Sequence, residues 1–288
     1  MVWSFNYIAA KIALRHMDGL SLASFRMEFA AMIMLPLYLI RGRPSSLRPR
    51  DLWIFAYLGF FGIVINQGCF ILGLSHTTSQ HSVIIIALDP ILVLLLAVAM
   101  KLELLTPAKI FGMGISLVGV LLLETERGSP AHSPLLLGDF ITLAGATGYS
   151  IYAVLGKKVV NQYDAFTLSA GNVLASAIII SPLAIRQATR LNWPKVGWEG
   201  WAGMIYMAIF SSIIAYTLFY WVLRYMEASR VSAVNYVQPV VVIILASVIL
   251  GERASEHLLI GGVLVLIGVY IIERNVDLPG FRSRQKQA

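Results

Sequence analysis

The chain of 288 residues is poor in charge: 13% are Asp, Glu, Lys or Arg, 58% are hydrophobic, and the mean hydropathy is +0.77. Soluble domains carry roughly 25% charged residues, so a water-facing protein of this size would lack the polar surface to cover its core. There is one cysteine, Cys69, which excludes a disulfide framework and a cysteine-based metal site. The sequence lacks H-E-x-x-H and the clustered aspartates that hold Mg²⁺ against a phosphate; His76 and His81 have no Glu partner nearby. Membrane protease and lipid-phosphate transferase chemistry are therefore not expected, nor is any catalytic residue, metal or cofactor. No filter-like loop or ring of charge suggests a channel. The alternation of polar and apolar residues that a membrane β-barrel needs is missing. The net charge is +7 with a pI near 9.6, but the basic residues sit in short clusters between apolar runs, so nucleic acid is not an expected partner.

What the sequence does have is a series of apolar runs suited to a bilayer core, which takes about 20 helical residues. They lie near 2–14, 21–40, 52–72, 80–100, 108–123, 137–156, 166–185, 198–223, 229–250 and 257–272. These predict an all-α integral membrane protein of ten transmembrane helices, with no room for a soluble domain between them. Met1–Leu14 has neither a basic n-region nor a small-residue cleavage site, so it is not read as a cleaved signal peptide. With the N-terminus inside, fourteen Lys and Arg fall in inner loops and the tail, and six in outer loops. The positive-inside rule then puts both termini in the cytoplasm. The outer loop with Arg186, Arg190 and Lys195 runs against that trend without reversing it.

A shift of 149 residues lays the first half on the second. Pro90 meets Pro239, Glu103 meets Glu252, Gly112 meets Gly261, Gly119 meets Gly268 and Glu124 meets Glu273. A shift of 146 aligns the earlier helices, with Lys11 on Lys157 and Pro36–Leu37 on Pro182–Leu183. Each half has five helices, an odd number, so the halves are expected to be inverted relative to each other. Inverted repeats are characteristic of secondary transporters, whose substrate sites lie near the midplane between the halves. The repeat predicts units at 1–124 and 137–273, followed by a short basic cytoplasmic tail, 274–288. Under the 146 shift residues 137–146 have no partner, and the first run is short for a bilayer. The expectation is that about ten residues precede Met1 in the natural chain, a point that mass spectrometry of the native N-terminus would decide.

The second half carries Tyr216, Arg224, Pro239, Gly251–Glu252, Gly261 and Gly268. The first carries Trp3, Asn6, Lys11, Arg26, Gly73–Leu74, Thr77, Pro90, Glu103, Gly112 and Gly119. Over essentially the whole chain this resembles the EamA-like family of the drug/metabolite transporter superfamily. Ser4 after Trp3 and Leu102 before Glu103 depart from the family's usual glycines, and His76 from its usual aromatic. The resemblance implies an inverted-repeat carrier in the plasma (inner) membrane that exports small metabolites such as amino acids by alternating access at a central cavity. A drug/cation or lipid transporter of the same fold is the alternative. The expected partners are a small-molecule substrate and the lipid bilayer, with the protein a monomer or weak homodimer.

Charged groups at helix depth cost several kcal/mol and need partners, water or a route to the surface. Lys11 and Glu28 are expected at similar depth in adjacent antiparallel helices, close enough to pair. For Lys11, Arg26 and Glu28 two readings stand: helix packing or snorkelling, and gating or coupling. Asp89 precedes Pro90 as Gln238 precedes Pro239; proline strips the carbonyl four residues earlier of its helical donor, so Pro90 and Pro239 are candidate hinges. Asp89 and Gln238 are the corresponding midplane candidates for substrate contact. Asn6, Asn66, Gln67, His81, Tyr149, Tyr152, Tyr216, Tyr220, Asn235 and Tyr236 complete the candidate cavity. The tyrosines are equally open to a packing role, and His81 to capping. The glycines at 112, 119, 261, 262 and 268 are read as helix-packing positions.

Overall fold

The computed structural model describes residues 2–41, 51–101, 105–125, 134–226, 228, 231, 237–252 and 255–274, and among these it is helical without strands. The helices are α1 (Val2–Ala13), α2 (Gly19–Arg41), α3 (Leu52–His76), α4 (Ser79–Ala99), α5 (Pro107–Thr125), α6 (Pro134–Val159), α7 (Ala165–Ala188) and α8 (Trp198–Tyr225). Then come α9 (Val237–Leu245), which runs on into a π-helical Ala246–Leu250, and α10 (Glu256–Arg274). Five of them, α2, α3, α4, α7 and α8, are long and apolar enough to cross a membrane. Large side chains such as Ile40, Ile178 and Val248 stand exposed. In lipid that outward apolar surface costs nothing, while every backbone polar group must be satisfied within its helix.

The starts and stops follow local chemistry. Asp18 caps α2: its carboxylate accepts from the Ser21 N–H at 3.0 Å and the Ser21 hydroxyl at 2.6 Å. Asp164 caps α7 in the same way, from the Thr167 N–H at 3.1 Å and hydroxyl at 2.6 Å. Thr78, in extended backbone, accepts from the His81 N–H and opens α4. Gly251, at φ +71°, ends α9 in the left-handed conformation that glycine adopts without strain.

Packing is by pairs. α5 crosses α10, α2 crosses α7, α1 crosses α8 and α3 crosses α6; α4 also lies on α6, and α9 on α1. Exchanging every helix for the one five places along leaves this set of pairs unchanged. The crossings are close because they are made at glycine. A methyl added at Gly112 would stand 2.5 Å from the Gly268 carbonyl, and one at Gly119 2.6 Å from that of Gly261. Midway between, Ser116 Oγ donates to the Val265 carbonyl at 3.2 Å. On α3 and α6, Gly73 and Gly138 meet each other's carbonyls in the same manner. This fits the expected packing role of the glycines, since close backbone approach replaces the hydrophobic driving force that lipid removes.

Two helices lose α-geometry at corresponding places. α3 is π-helical over Phe60–Ile65 and α8 over Met207–Ile214. The Asn66 N–H accordingly reaches back to Phe61 O, and the Ala215 N–H to Phe210 O. α4 is interrupted differently: a turn at Ala87–Leu88 divides Ser79–Ile86 from Asp89–Ala99, with Pro90 in the first turn of the second piece. Pro239 lies three residues into α9.

Candidate functional site

Buried polar side chains of this structure converge where α1, α3, α4, α6, α8 and α9 meet. Trp3, Asn6 and Tyr7 come from α1, Asn66, Gln67 and Phe70 from α3, and Ile86 and Asp89 from the interruption of α4. Tyr149 of α6, Tyr216 of α8 and Gln238 of α9 close a cavity of about 40 Å³. Of the expected cavity residues, Asn6, Asn66, Gln67, Asp89, Tyr149, Tyr216 and Gln238 are brought together here. The interruption of α4 explains one of them: it puts Asp89, the residue before Pro90, at the start of a helical piece that faces inward.

The wall is held by an ordered network. The Asn66 amide donates to Gly145 O at 3.0 Å, and Gln67 Nε2 donates to Asn66 Oδ1 at 2.6 Å and to the Tyr216 hydroxyl at 3.0 Å. The Tyr216 hydroxyl in turn donates to Gly62 O at 2.6 Å, within the π segment of α3. Gln67 and Tyr216 are 149 residues apart, so they occupy matching places in the two halves of the sequence and touch each other.

Other expected residues stand elsewhere. Tyr152 and Tyr220 are fully buried behind the cavity, in an aromatic block with Tyr216 and Phe219. They lie one helical turn beyond Tyr149 and Tyr216, so they share the face but not the depth of the opening. His81 lies by Asp139, 3.8 Å from its carboxylate, in the first turn of α4. Asn235 and Tyr236 lie outside the described residues.

The pairing expected of Lys11 is not made with Glu28. Lys11 Nζ donates to the Thr77 carbonyl at 2.6 Å, because the last carbonyls of α3 lack helical donors and attract a cation. Lys157 does the same for α8, donating to Leu223 O at 2.8 Å and Met226 O at 2.7 Å. Glu28 is partly buried in α2, with Oε1 unpartnered. Arg26 is fully buried; its Nε donates to Ser212 Oγ at 3.1 Å, while Nη1 and Nη2 have no hydrogen-bond partner. Asn172, which aligns with Arg26, donates to the Tyr220 hydroxyl.

Sequence reasoning missed Trp3 and Tyr7. The Trp3 ring packs edge-on against Tyr149 and Tyr216, 6.4 and 6.0 Å between centroids. Its Nε1 donates to Ser211 O, in the π segment of α8. The available signal was its position one turn before Asn6 and Tyr7. A larger recess of about 630 Å³ lies at the α1–α2 corner, lined by Lys11, Arg15, Asp18, His76 and Glu252 among others. It is an open groove between helix ends. The buried polar groups face the smaller cavity.

The family profile described as "EamA-like transporter family" matches residues 1–125 and 136–274. An uncharacterized transporter of Archaeoglobus fulgidus is 25% identical, over 94% of this chain and 95% of its own length. The transporter YyaM of Bacillus subtilis is 24% identical over 97% and 92%. A probable terminal-alkyne amino-acid exporter of Streptantibioticus cattleyicolor is 23% identical over 95% and 90%. A protein solved by crystallography superposes with a TM-score of 0.69 at 20% identity, covering 96% of this chain and 95% of that one; at that identity the likeness is one of fold.

Proposed function

Because this chain belongs to the EamA-like transporter family of the drug/metabolite transporter superfamily, we propose that it exports small metabolites, amino acids or related compounds foremost. In this reading it is a ten-span carrier of the plasma membrane with both termini in the cytoplasm. It is made of two inverted halves, 1–124 and 137–273, with 274–288 as a basic tail. The family and its relatives are transporters, which points away from enzymatic chemistry and toward a membrane setting with a small-molecule substrate. The carrying observation is the polar cavity that the helices of both halves build around Gln67 and Tyr216. Support for the inverted halves comes from the helix pairs that survive the five-place exchange. The matched caps at Asp18 and Asp164 and the matched lysines at 11 and 157 agree with it.

In alternating access the halves rock about such a centre and expose it to one side at a time. Pro90 and Pro239 are the hinges of this reading, and Lys11, Arg26 and Glu28 its charged gating or coupling groups. Amino acids come first among substrates in this reading, and a relative named as a probable terminal-alkyne amino-acid exporter supports that order. A carrier of organic cations is the second reading, favoured by the Asp89 carboxylate in an aromatic-walled cavity. Tracer efflux from proteoliposomes for a panel of amino acids, with and without a pH gradient, tests the proposal. Flux of one amino-acid class that is lost in Tyr216→Phe or Gln67→Met is the expected result. No flux from folded protein, together with flux of a cationic dye, overturns the amino-acid reading.

A further inference from the structure

We infer that the central cavity recognises its substrate by a protonated amino group, held by Gln67 Oε1 and the Asp89 carboxylate, and not by a substrate carboxylate. The inference rests on the reading of this cavity as the substrate site. The orientation of Gln67 follows from its neighbours. Gly145 O only accepts, so Asn66 must present its NH2 there, at 3.0 Å, and turns Oδ1 toward Gln67. Gln67 must then present its own NH2 to Asn66 Oδ1, at 2.6 Å. The Tyr216 hydroxyl has given its hydrogen to Gly62 O, so it too accepts from Gln67 Nε2. Both Gln67 donors are committed, and the amide cannot be turned over without breaking the chain of bonds.

The atom left is Gln67 Oε1, on a side chain only 8% exposed, with no hydrogen-bond partner. Asn6 Oδ1, across the cavity on α1, is a second buried acceptor without a partner. A buried acceptor left bare costs about 1–3 kcal/mol, so a site that keeps one open is suited to a ligand that brings donors. Asp89 stands in the same wall, 3% exposed. No Lys, Arg or His is among the described residues lining the cavity. Arg26 spends its one bonded nitrogen on Ser212 and does not line it. A second carboxylate brought beside Asp89 would meet like charge. An ammonium group brings three donors and the opposite sign, and the aromatic walls of Trp3, Tyr149 and Tyr216 suit a cation. The volume of about 40 Å³ admits that group and not a whole amino acid, so the rest of the substrate is accommodated by movement of the walls.

The test uses the purified full chain and three matched probes: leucine, 3-methylbutylamine, which lacks its carboxylate, and 4-methylpentanoate, which lacks its amino group. Thermal-shift titrations give each apparent affinity. The expected result is that leucine and the amine stabilise the protein and the acid does not. Asp89→Asn and, separately, Gln67→Met should each weaken the amine about 10-fold or more, the scale of a lost charge-assisted hydrogen bond. Either variant suffices if the other fails to fold. Equal stabilisation by the acid and the amine overturns the inference and leaves the cavity as the substrate site. Binding of all active probes unchanged by both folded variants overturns the site reading as well.

Discussion

The segments 2–125 and 134–274 are alike at their edges and unlike at their centre. At the edges the same chemistry recurs: an aspartate caps the second helix of each, a lysine from the first helix closes the end of the third, and glycines seat the fifth helices on one another. At the centre the matched positions hold different groups: Gln67 faces Tyr216, Arg26 corresponds to Asn172, and Asp89 to Gln238. In the alternating-access reading proposed above, a frame that must be equally sound in two opposite postures gains from matched fastenings. A substrate that has no two-fold symmetry of its own needs a centre without one. The difference separates what carries the fold from what discriminates a ligand.

The sharpest way to break the matched frame is at the α5–α10 crossing. Gly112→Val and Gly119→Val each drive a side chain into a carbonyl of α10, where overpacking costs about 1–3 kcal/mol or more. Both should abolish a monodisperse, cooperatively melting protein, whereas Gly114→Val, with nothing within 4 Å, should not. The unmatched centre is tested by Arg26→Met and Asn172→Leu. Removing a fully buried guanidinium with two bare nitrogens is expected to leave stability unchanged or raise it by about 1–4 kcal/mol while lowering flux. Asn172→Leu takes a partner from the buried Tyr220 hydroxyl and should lower stability by about 1–3 kcal/mol. Lys11→Met and Lys157→Met are expected to cost about 1 kcal/mol each, and melting curves that differ clearly between them would deny the match.

The smallest effect is in acid. Partial burial pushes the Asp164 carboxyl up, but the Thr167 hydroxyl and N–H, the Arg41 charge and the Phe166 N–H together hold it below its ordinary 3.8. A group depressed in the folded state stabilises above its ordinary value and loses that contribution as pH falls through the lowered one. Tm should therefore drop slightly below pH 3.8 in the parent and drop less there in Asp164→Asn.

Much of the frame was legible in the sequence, because Pro, Gly, Asp and Lys at fixed offsets have few structural uses inside a membrane. The glycine crossings and the inward placement of Asp89 and Gln238 follow from residue type alone. The rotation of each helix about its axis does not. A helix apolar on every side has no moment to fix which face turns inward, so Trp3 and Tyr7 were missed and Tyr152 and Tyr220 passed for cavity walls. Lys11 was matched to Glu28 by depth, whereas its position is decided by the carbonyl end of α3, which no side-chain pattern displays. The π segments were equally invisible, since their residues, Phe60–Ile65 and Met207–Ile214, read as ordinary apolar helix.

Those π segments have an arithmetic consequence. Each residue of an α-helix advances it by about 100°, so one residue taken up in a wide turn re-aims everything after it by about that angle. Asn66 and Gln67 follow the wide turn of α3 immediately, and Tyr216 follows that of α8. Deleting a single residue within 60–65 would leave α3 apolar and of nearly the same length, yet swing both amides away from Tyr216. The aim of the cavity is thus set by register, one residue of slack in each of two helices, and a mutation that alters no polar group can unmake it.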